Sequence, residues 1–320
     1  MLKLNRVLLI PCFFLLFHPL SAQKPKKPNA AEIQQMLEKL NVLGSVLYVA
    51  AHPDDENTKV IAYMANEKKY NTAYLSATRG DGGQNLIGSD IRELLGLIRT
   101  QELLAARRAD GGQQYFSRAN DFGYSKSPEE TLEIWDKEQV LSDFVRIFRR
   151  HKPDVIITRF PGDGKGGHGH HTSSAILAKE AFDLAFDRKN YPESANLYGP
   201  WQPKRLVFNT HPWFYKRAGL EMDTASLMTE NIGAYNAVLG KSYTEIASLS
   251  RSMHQSQGFG STGTRGQLIE YFELQKGTPA KSLFEGINTT WTRVKGGEKV
   301  QYHIDNALMQ YRKPLGIGPS

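Results

Sequence analysis

Cysteine is nearly absent from this 320-residue chain, which carries one, at position 12. A single thiol closes no internal disulfide and builds no cysteine-rich zinc site. Acidic residues are absent from the first 31 positions, where Lys3, Arg6, Lys24, Lys26 and Lys27 all precede Glu32. The formal charge of +7 is therefore mostly a local feature. With those five set aside, 35 basic residues face 33 acidic ones, which gives no clustered basic face for nucleic acid. Beyond the N-terminus no apolar run approaches the ~20 residues that a membrane helix needs. The 28 Gly and 15 Pro follow no triplet period, so collagen is excluded. What is present, 40% hydrophobic and 23% charged residues, is ordinary globular usage and can bury a core.

The N-terminus reads as an address. Lys3 and Arg6 lead into an apolar run over 7–17, followed by the small Ser21 and Ala22 and the polar Gln23. This is the three-part pattern of a secretory signal peptide, with cleavage expected after Ala22. The run is too short to span a bilayer, and Pro11 and His18 interrupt it. The expectation is an exported protein, periplasmic or secreted, whose mature chain lacks both cysteine and a transmembrane segment.

Residues 23–43 read as a linker and short helix, 44–275 as an α/β domain, and 276–320 as a C-terminal extension packed on it or the start of a further region. Within the domain, strand and helix patterns alternate. Strands are expected over 46–51, 72–77, 113–116, 155–158 and 206–209, and helices over 54–68, 89–108, 127–150, 172–186 and 244–257. Ser127-Pro128-Glu129-Glu130 is a capping box with proline at the first helical position. The last 45 residues or so suggest short strands and turns. The alternation predicts a Rossmann-like α/β fold, with a largely parallel sheet flanked by helices.

Two segments carry chemistry, each set where a strand gives way to a helix, the place where open α/β sheets bind ligands. The first is Ala51-His52-Pro53-Asp54-Asp55-Glu56. His52 and Asp55, three apart across an expected first helical turn, can face one point, and imidazole plus carboxylate is a common zinc donor pair. Asp54 between them is free to serve as a base. The second segment runs from Phe160 through five glycines to His168, His170 and His171. His171 can supply a third ligand, with His168 three residues earlier. The glycines do not make a phosphate loop, because Lys165 is followed by Gly and not by Ser or Thr.

These segments make the chain resemble the LmbE/PIG-L family of zinc-dependent N-acetylglucosaminyl deacetylases. The resemblance is carried by AHPDDE at 51–56, TRGDGG at 78–83, RTQELLAA at 99–106 and the HxxH at 168–171. It covers 44–185 well and 186–275 more loosely. It implies one zinc ion per chain on His52, Asp55 and His171, with Asp54 as general base and His168 as a second catalytic histidine. The implied reaction removes the acetyl group from N-acetylglucosamine-type sugars or glycoconjugates. A metal amidase acting on another acylated amine and a non-catalytic carbohydrate-binding relative are the alternatives. Some members of the family carry a Tyr two residues before the HxxH; here that position is Gly166, and Tyr115 and Tyr124 are the candidate substitutes.

Arg79 and Asp81, on a loop after a strand, are candidate substrate contacts. So are Arg99 and Glu102, whose spacing on one helix also suits a structural ion pair, and His254 near the end of a later helix. Trp201, Trp213 and Tyr215 could stack on sugars, with core packing the better reading. His170 is expected to point away from the site.

Overall fold

The computed structural model describes residues 27–316 except Ala218. The expected signal segment, with Cys12, lies outside them. In chain order the strands are β1 (Ser45–Ala50), β2 (Asn71–Ser76), β3 (Gln113–Phe116), β4 (Val155–Thr158), β5 (Arg205–Thr210), β6 (Met228–Asn231), β7 (Tyr235–Asn236), β8 (Lys241–Ser242) and β9 (Ile269–Gly277). The helices are α1 (Ala30–Lys39), α2 (Thr58–Asn66), α3 (Glu93–Asp110), α4 (Pro128–Ile134), α5 (Lys137–His151), α6 (Gly169–Leu184), α7 (Pro192–Tyr198), α8 (Pro212–Arg217), α9 (Tyr243–Arg251) and α10 (Gly297–Arg312).

Among the described residues seven strands form one sheet in the order β3-β2-β1-β4-β5-β9-β6, while β7 and β8 pair separately. The first five strands are mutually parallel, and β9 and β6 join antiparallel at one side. This is the expected α/β fold with a largely parallel sheet. All six residues of β1 are buried, as befits a strand covered on both faces. Val46, Tyr48 and Ala50 enter one core layer with Val60, Ile61 and Met64 of α2. Leu47 and Val49 enter the other, with Phe144 and Phe148 of α5 and Leu177 and Ala178 of α6. Alternate residues of a strand point to opposite faces, so one buried strand serves two cores.

Several boundaries differ from the expectations. The helix expected from 54 starts at Thr58, because Asn57 caps it by accepting from the Lys59 and Val60 N–H groups. The helix expected over 127–150 is broken after Ile134. Trp135 turns inward and donates its ring N–H to the Asn120 carbonyl at 2.9 Å, and Asp136 adopts φ +54° before capping α5. The tail expected as short strands and turns contains the 16-residue α10, and β9 runs across the expected boundary at 275. α10 packs back on α1 through Arg312–Glu38 and Asn41–Asp305 contacts, both at 2.8 Å. Among the described residues no helix is long and apolar enough to cross a membrane.

Candidate metal centre and its cleft

Strand order reverses between β1 and β4, so a crevice opens at their carboxyl ends. His52–Glu56 leaves β1, and residues 159–171 leave β4. The first segment is a turn, not the expected first turn of a helix. The Asp55 N–H donates to the His52 carbonyl at 3.3 Å, and Asp54 sits at φ +86°. The Asp55 carboxylate folds back to accept the His52 N–H at 2.7 Å and lies 3.1 Å from His52 Nδ1. The two side chains therefore face one point, as the sequence suggested, by a different local geometry.

α6 brings the third donor. Its first residue is Gly169, three residues earlier than expected, with His168 as the capping residue. His171 Nε2 lies 3.5 Å from Asp55 Oδ1. On the other side of the ring, Nδ1–H donates to the Gly166 carbonyl at 3.1 Å, and Phe160 stacks on the imidazole at 3.8 Å. That bond leaves Nε2 with its lone pair toward Asp55, the state a metal ligand needs. A Cβ at position 166 would stand 3.2 Å from His171 Cβ, so this glycine supplies a carbonyl where a side chain would crowd the ligand. Donor atoms of His52, Asp55 and His171 lie within 4.8 Å of one another. Two imidazole nitrogens and one carboxylate oxygen fit a divalent metal of zinc type. Burial pushes the Asp55 carboxyl up, but His171 and His52 outweigh it and hold it well below the usual carboxylate range.

Asp54 is held from every side. Its N–H donates to Glu56 at 2.9 Å, its carbonyl accepts from Arg251, and its carboxylate lies 3.3 Å from Arg99 Nη2. Arg99 also donates to the Pro53 carbonyl at 2.6 Å. Positive φ is unfavourable for a residue with a side chain, and this surrounding network over-determines it. Burial and the neighbouring Asp55 charge push the Asp54 carboxyl up to about 6, against the pull of Arg99.

His168 lies beside the triad, its ring 5.4 Å from that of His52 and 5.0 Å from that of His171. Its Nδ1 accepts the His170 N–H at 3.1 Å, so in the neutral ring the proton sits on Nε2. Burial, with His52 and His171 adding to it, lowers its pKa to about 4. Tyr124 stands 5.1 Å from His168, whereas Tyr115 packs on His151 away from the site. Tyr124 is thus the better placed of the two candidate tyrosines.

His170 overturns its expectation. It is fully buried, with Nδ1 2.9 Å from His52 Nε2. The early start of α6 turns it inward against Phe122 and Trp135, whereas His171, next along the helix, faces the crevice. Asp121 completes this side at 3.8 Å from His52 Nε2 and 3.7 Å from His170 Nδ1. Sequence reasoning missed Asp121; its position in the loop after β3, at the carboxyl edge of the sheet, was the available signal.

The expected substrate contacts fall elsewhere. Glu102 is buried and accepts from the Ser256 N–H and hydroxyl at 2.6 and 2.7 Å, so it ties α3 to the turn after α9. It does not pair with Arg99, which instead braces the Asp54 turn. His254 is buried against Glu56 at 2.8 Å. Arg79 is exposed over the Phe116 ring, and Asp81 tucks against Gly96 of α3 in a separate acidic pocket with Glu93 and Asp121. The cleft that opens beside Asp54, Asp55 and His171 has a volume of about 920 Å³ and is walled instead by Arg159, His211, Trp213, Arg251 and Phe259. Of the aromatic candidates, Trp213 stands at this cleft half-exposed, while Trp201 and Tyr215 do not line it.

A three-donor nitrogen and oxygen set able to hold a metal, at the switch point of a largely parallel α/β sheet, defines the class: an open-sheet α/β protein with a candidate metal centre. Residues 47–182 match the family model described as "PIG-L: GlcNAc-PI de-N-acetylase". Those residues form a PIG-L/LmbE-family domain, as the motifs indicated. Over 180 residues the chain is 30% identical to the mycothiol S-conjugate amidase of Streptomyces coelicolor, covering 51% of this chain and 60% of that one. Over 203 residues it is 29% identical to a 1D-myo-inositol 2-acetamido-2-deoxy-alpha-D-glucopyranoside deacetylase 2 of Catenulispora acidiphila, covering 58% and 65% respectively. The chain thus spans less than two thirds of the length of these relatives. A solved N,N'-diacetylchitobiose deacetylase from Pyrococcus horikoshii aligns over 83% of this chain and 98% of its own, at 16% identity and a TM-score of 0.47.

Proposed function

We propose that the protein is a zinc-dependent amide hydrolase that removes the acetyl group from N-acetylglucosamine-type sugars or glycoconjugates. The observation that carries this reading is the convergence of His52, Asp55 and His171 beside a separately held carboxylate, Asp54. His52, Asp55 and His171 would hold one zinc ion, whose chemistry there would be Lewis-acid polarisation of water and of the acetyl group. Asp54 takes the proton of the attacking water. Its pKa, raised to about 6, makes it basic enough to hold that proton while still lying below neutral pH, so the ionised form prevails there. The protonated Asp54 then returns the proton to the nitrogen as the C–N bond breaks, giving acetate and a free amine.

His168, neutral because its pKa is lowered to about 4, cannot lead with a proton of its own. Its Nε2–H acts instead as a hydrogen-bond donor to the acetyl oxygen as charge grows there. The intact Asp54 and the complete donor set speak against a non-catalytic carbohydrate-binding relative. The cleft volume suits a sugar carrying a further group, with Trp213 as an apolar face for a ring. The similarity to a named amidase keeps a different acylated amine in view. We read residues 1–22 as an export signal, supported by its charge and hydropathy pattern.

The experiment is acetate release from a panel of N-acetylglucosamine oligomers, N-acetylglucosaminyl conjugates and other acylated amines, with and without chelator. Chelator-sensitive release from the sugars supports the reading. Release only from non-sugar amides moves it to the amidase alternative, and no turnover after zinc loading contradicts it.

A further inference from the structure

We propose that His170 is a positioning residue that accepts the His52 Nε2 proton and so fixes the His52 ring for metal binding. The inference rests on the metal reading of His52, Asp55 and His171. A ligating imidazole uses one nitrogen for the metal and must place the proton of the other on an acceptor. His52 Nδ1 faces Asp55, on the metal's side of the ring. Its Nε2 therefore carries the proton. Two acceptors stand near it. His170 Nδ1 is at 2.9 Å, within hydrogen-bond range, and the Asp121 carboxylate is at 3.8 Å, beyond it.

His170 is built for this task. Its own backbone N–H is committed to His168 Nδ1, which pins the start of α6. With Nδ1 accepting, its proton must sit on Nε2, and that atom is buried without a hydrogen-bond partner. The rings of Phe122, with centroids 4.5 Å apart and tilted by 77°, and Trp135, with centroids 4.8 Å apart, pack against the imidazole. The ring is fully buried, and burial disfavours the charged imidazole, so His170 stays neutral, the form in which Nδ1 can accept. Asp121, 3.7 Å from the same nitrogen, adds a favourable field for the shared proton without making the bond. With the metal on His52, Asp55 and His171, His170 touches neither substrate nor metal and acts through His52; the second group of converging donors, His52, His168 and His170, is the competing site.

The test separates acceptor from filler. The full chain is stripped of metal, and its zinc affinity is measured by competition with a chromophoric chelator for wild type, His170→Asn and His170→Leu. Asn can place an amide oxygen near the position of Nδ1, whereas Leu fills the pocket and accepts nothing. We expect His170→Leu to weaken zinc binding about 10–100-fold, and His170→Asn to stay clearly nearer wild type. Circular dichroism of the stripped variants confirms that both are folded. If Leu binds zinc as well as or better than Asn, the residue is packing and the proposal is overturned. If wild type itself binds no zinc, the metal reading fails first, an outcome distinct from the reversed order of the variants.

Discussion

The two walls of the crevice are built on opposite plans. The metal wall comes from two short contiguous segments, 52–55 and 168–171, each following a buried parallel strand. The opposite wall, which on the proposed function would meet substrate, gathers Arg159, His211, Trp213, Arg251 and Phe259 from separate stretches spread over a hundred residues. Two of the three candidate donors are held by a neighbour close in sequence, Asp55 by the His52 N–H and His171 by the Gly166 carbonyl, whereas the His52 ring meets His170 from the other segment. The substrate wall is held by tertiary contacts, such as Arg251 stacked 3.7 Å over Phe259 while it donates to the Asp54 carbonyl. The donor set thus comes from two short segments brought together by adjacent parallel strands, while the opposite wall is gathered from several stretches.

If this contrast holds, changes to the metal wall should act on metal content and turnover, and changes to the substrate wall on KM. The largest effect is expected from Asp55→Ala, which removes a ligand. Metal content should fall far below one per chain, and kcat/KM should drop ~10³-fold or more, since the ion supplies several kcal/mol. Asp54→Asn should lower kcat by ~10²–10⁴-fold with metal content unchanged. Loss of metal in that variant would make Asp54 part of the ligand set. His168→Ala should reduce kcat by ~10²–10³-fold with little change in KM, the scale of one oxyanion donor. Trp213→Ala should raise KM severalfold and leave kcat near wild type; a collapse of kcat would blur the division between the walls.

A pH titration sharpens the same contrast. In the metal-free chain Asp54 is held up to about 6 by burial and the Asp55 charge, so its ionised form is lost there as pH falls through that value. NMR titration of the metal-stripped chain should place the Asp54 carboxyl near about 6. A value near the ordinary ~4 would contradict the environment described for Asp54.

The uneven legibility of the sequence follows from the same architecture. The strands expected at 113–116 and 155–158 match β3 and β4, because short β-rich runs between clear breakers leave little choice. That His52 and Asp55 face one point was readable because spacing within a segment is visible in one dimension, whereas the full set with His171 came from the resemblance. His170 was misjudged because the HxxH pattern fixes two rings and leaves open where the helix starts. Glu102 and His254 were misread because a polar residue on a helix looks the same whether it meets a ligand or a buried serine or glutamate. α10 was missed because most of its apolar residues, among them Tyr302 and Met309, remain exposed while Leu308 is buried, so it carries no strong apolar stripe.

The central claim is that His52, Asp55 and His171 hold the working metal next to Asp54. Anomalous X-ray diffraction at the zinc edge, on crystals of the zinc-loaded chain, tests it directly. The account predicts a single strong peak ~2.0–2.2 Å from His52 Nδ1, an Asp55 carboxylate oxygen and His171 Nε2. A peak centred instead between His52 Nε2, His168 and His170, or none in the crevice, would contradict it.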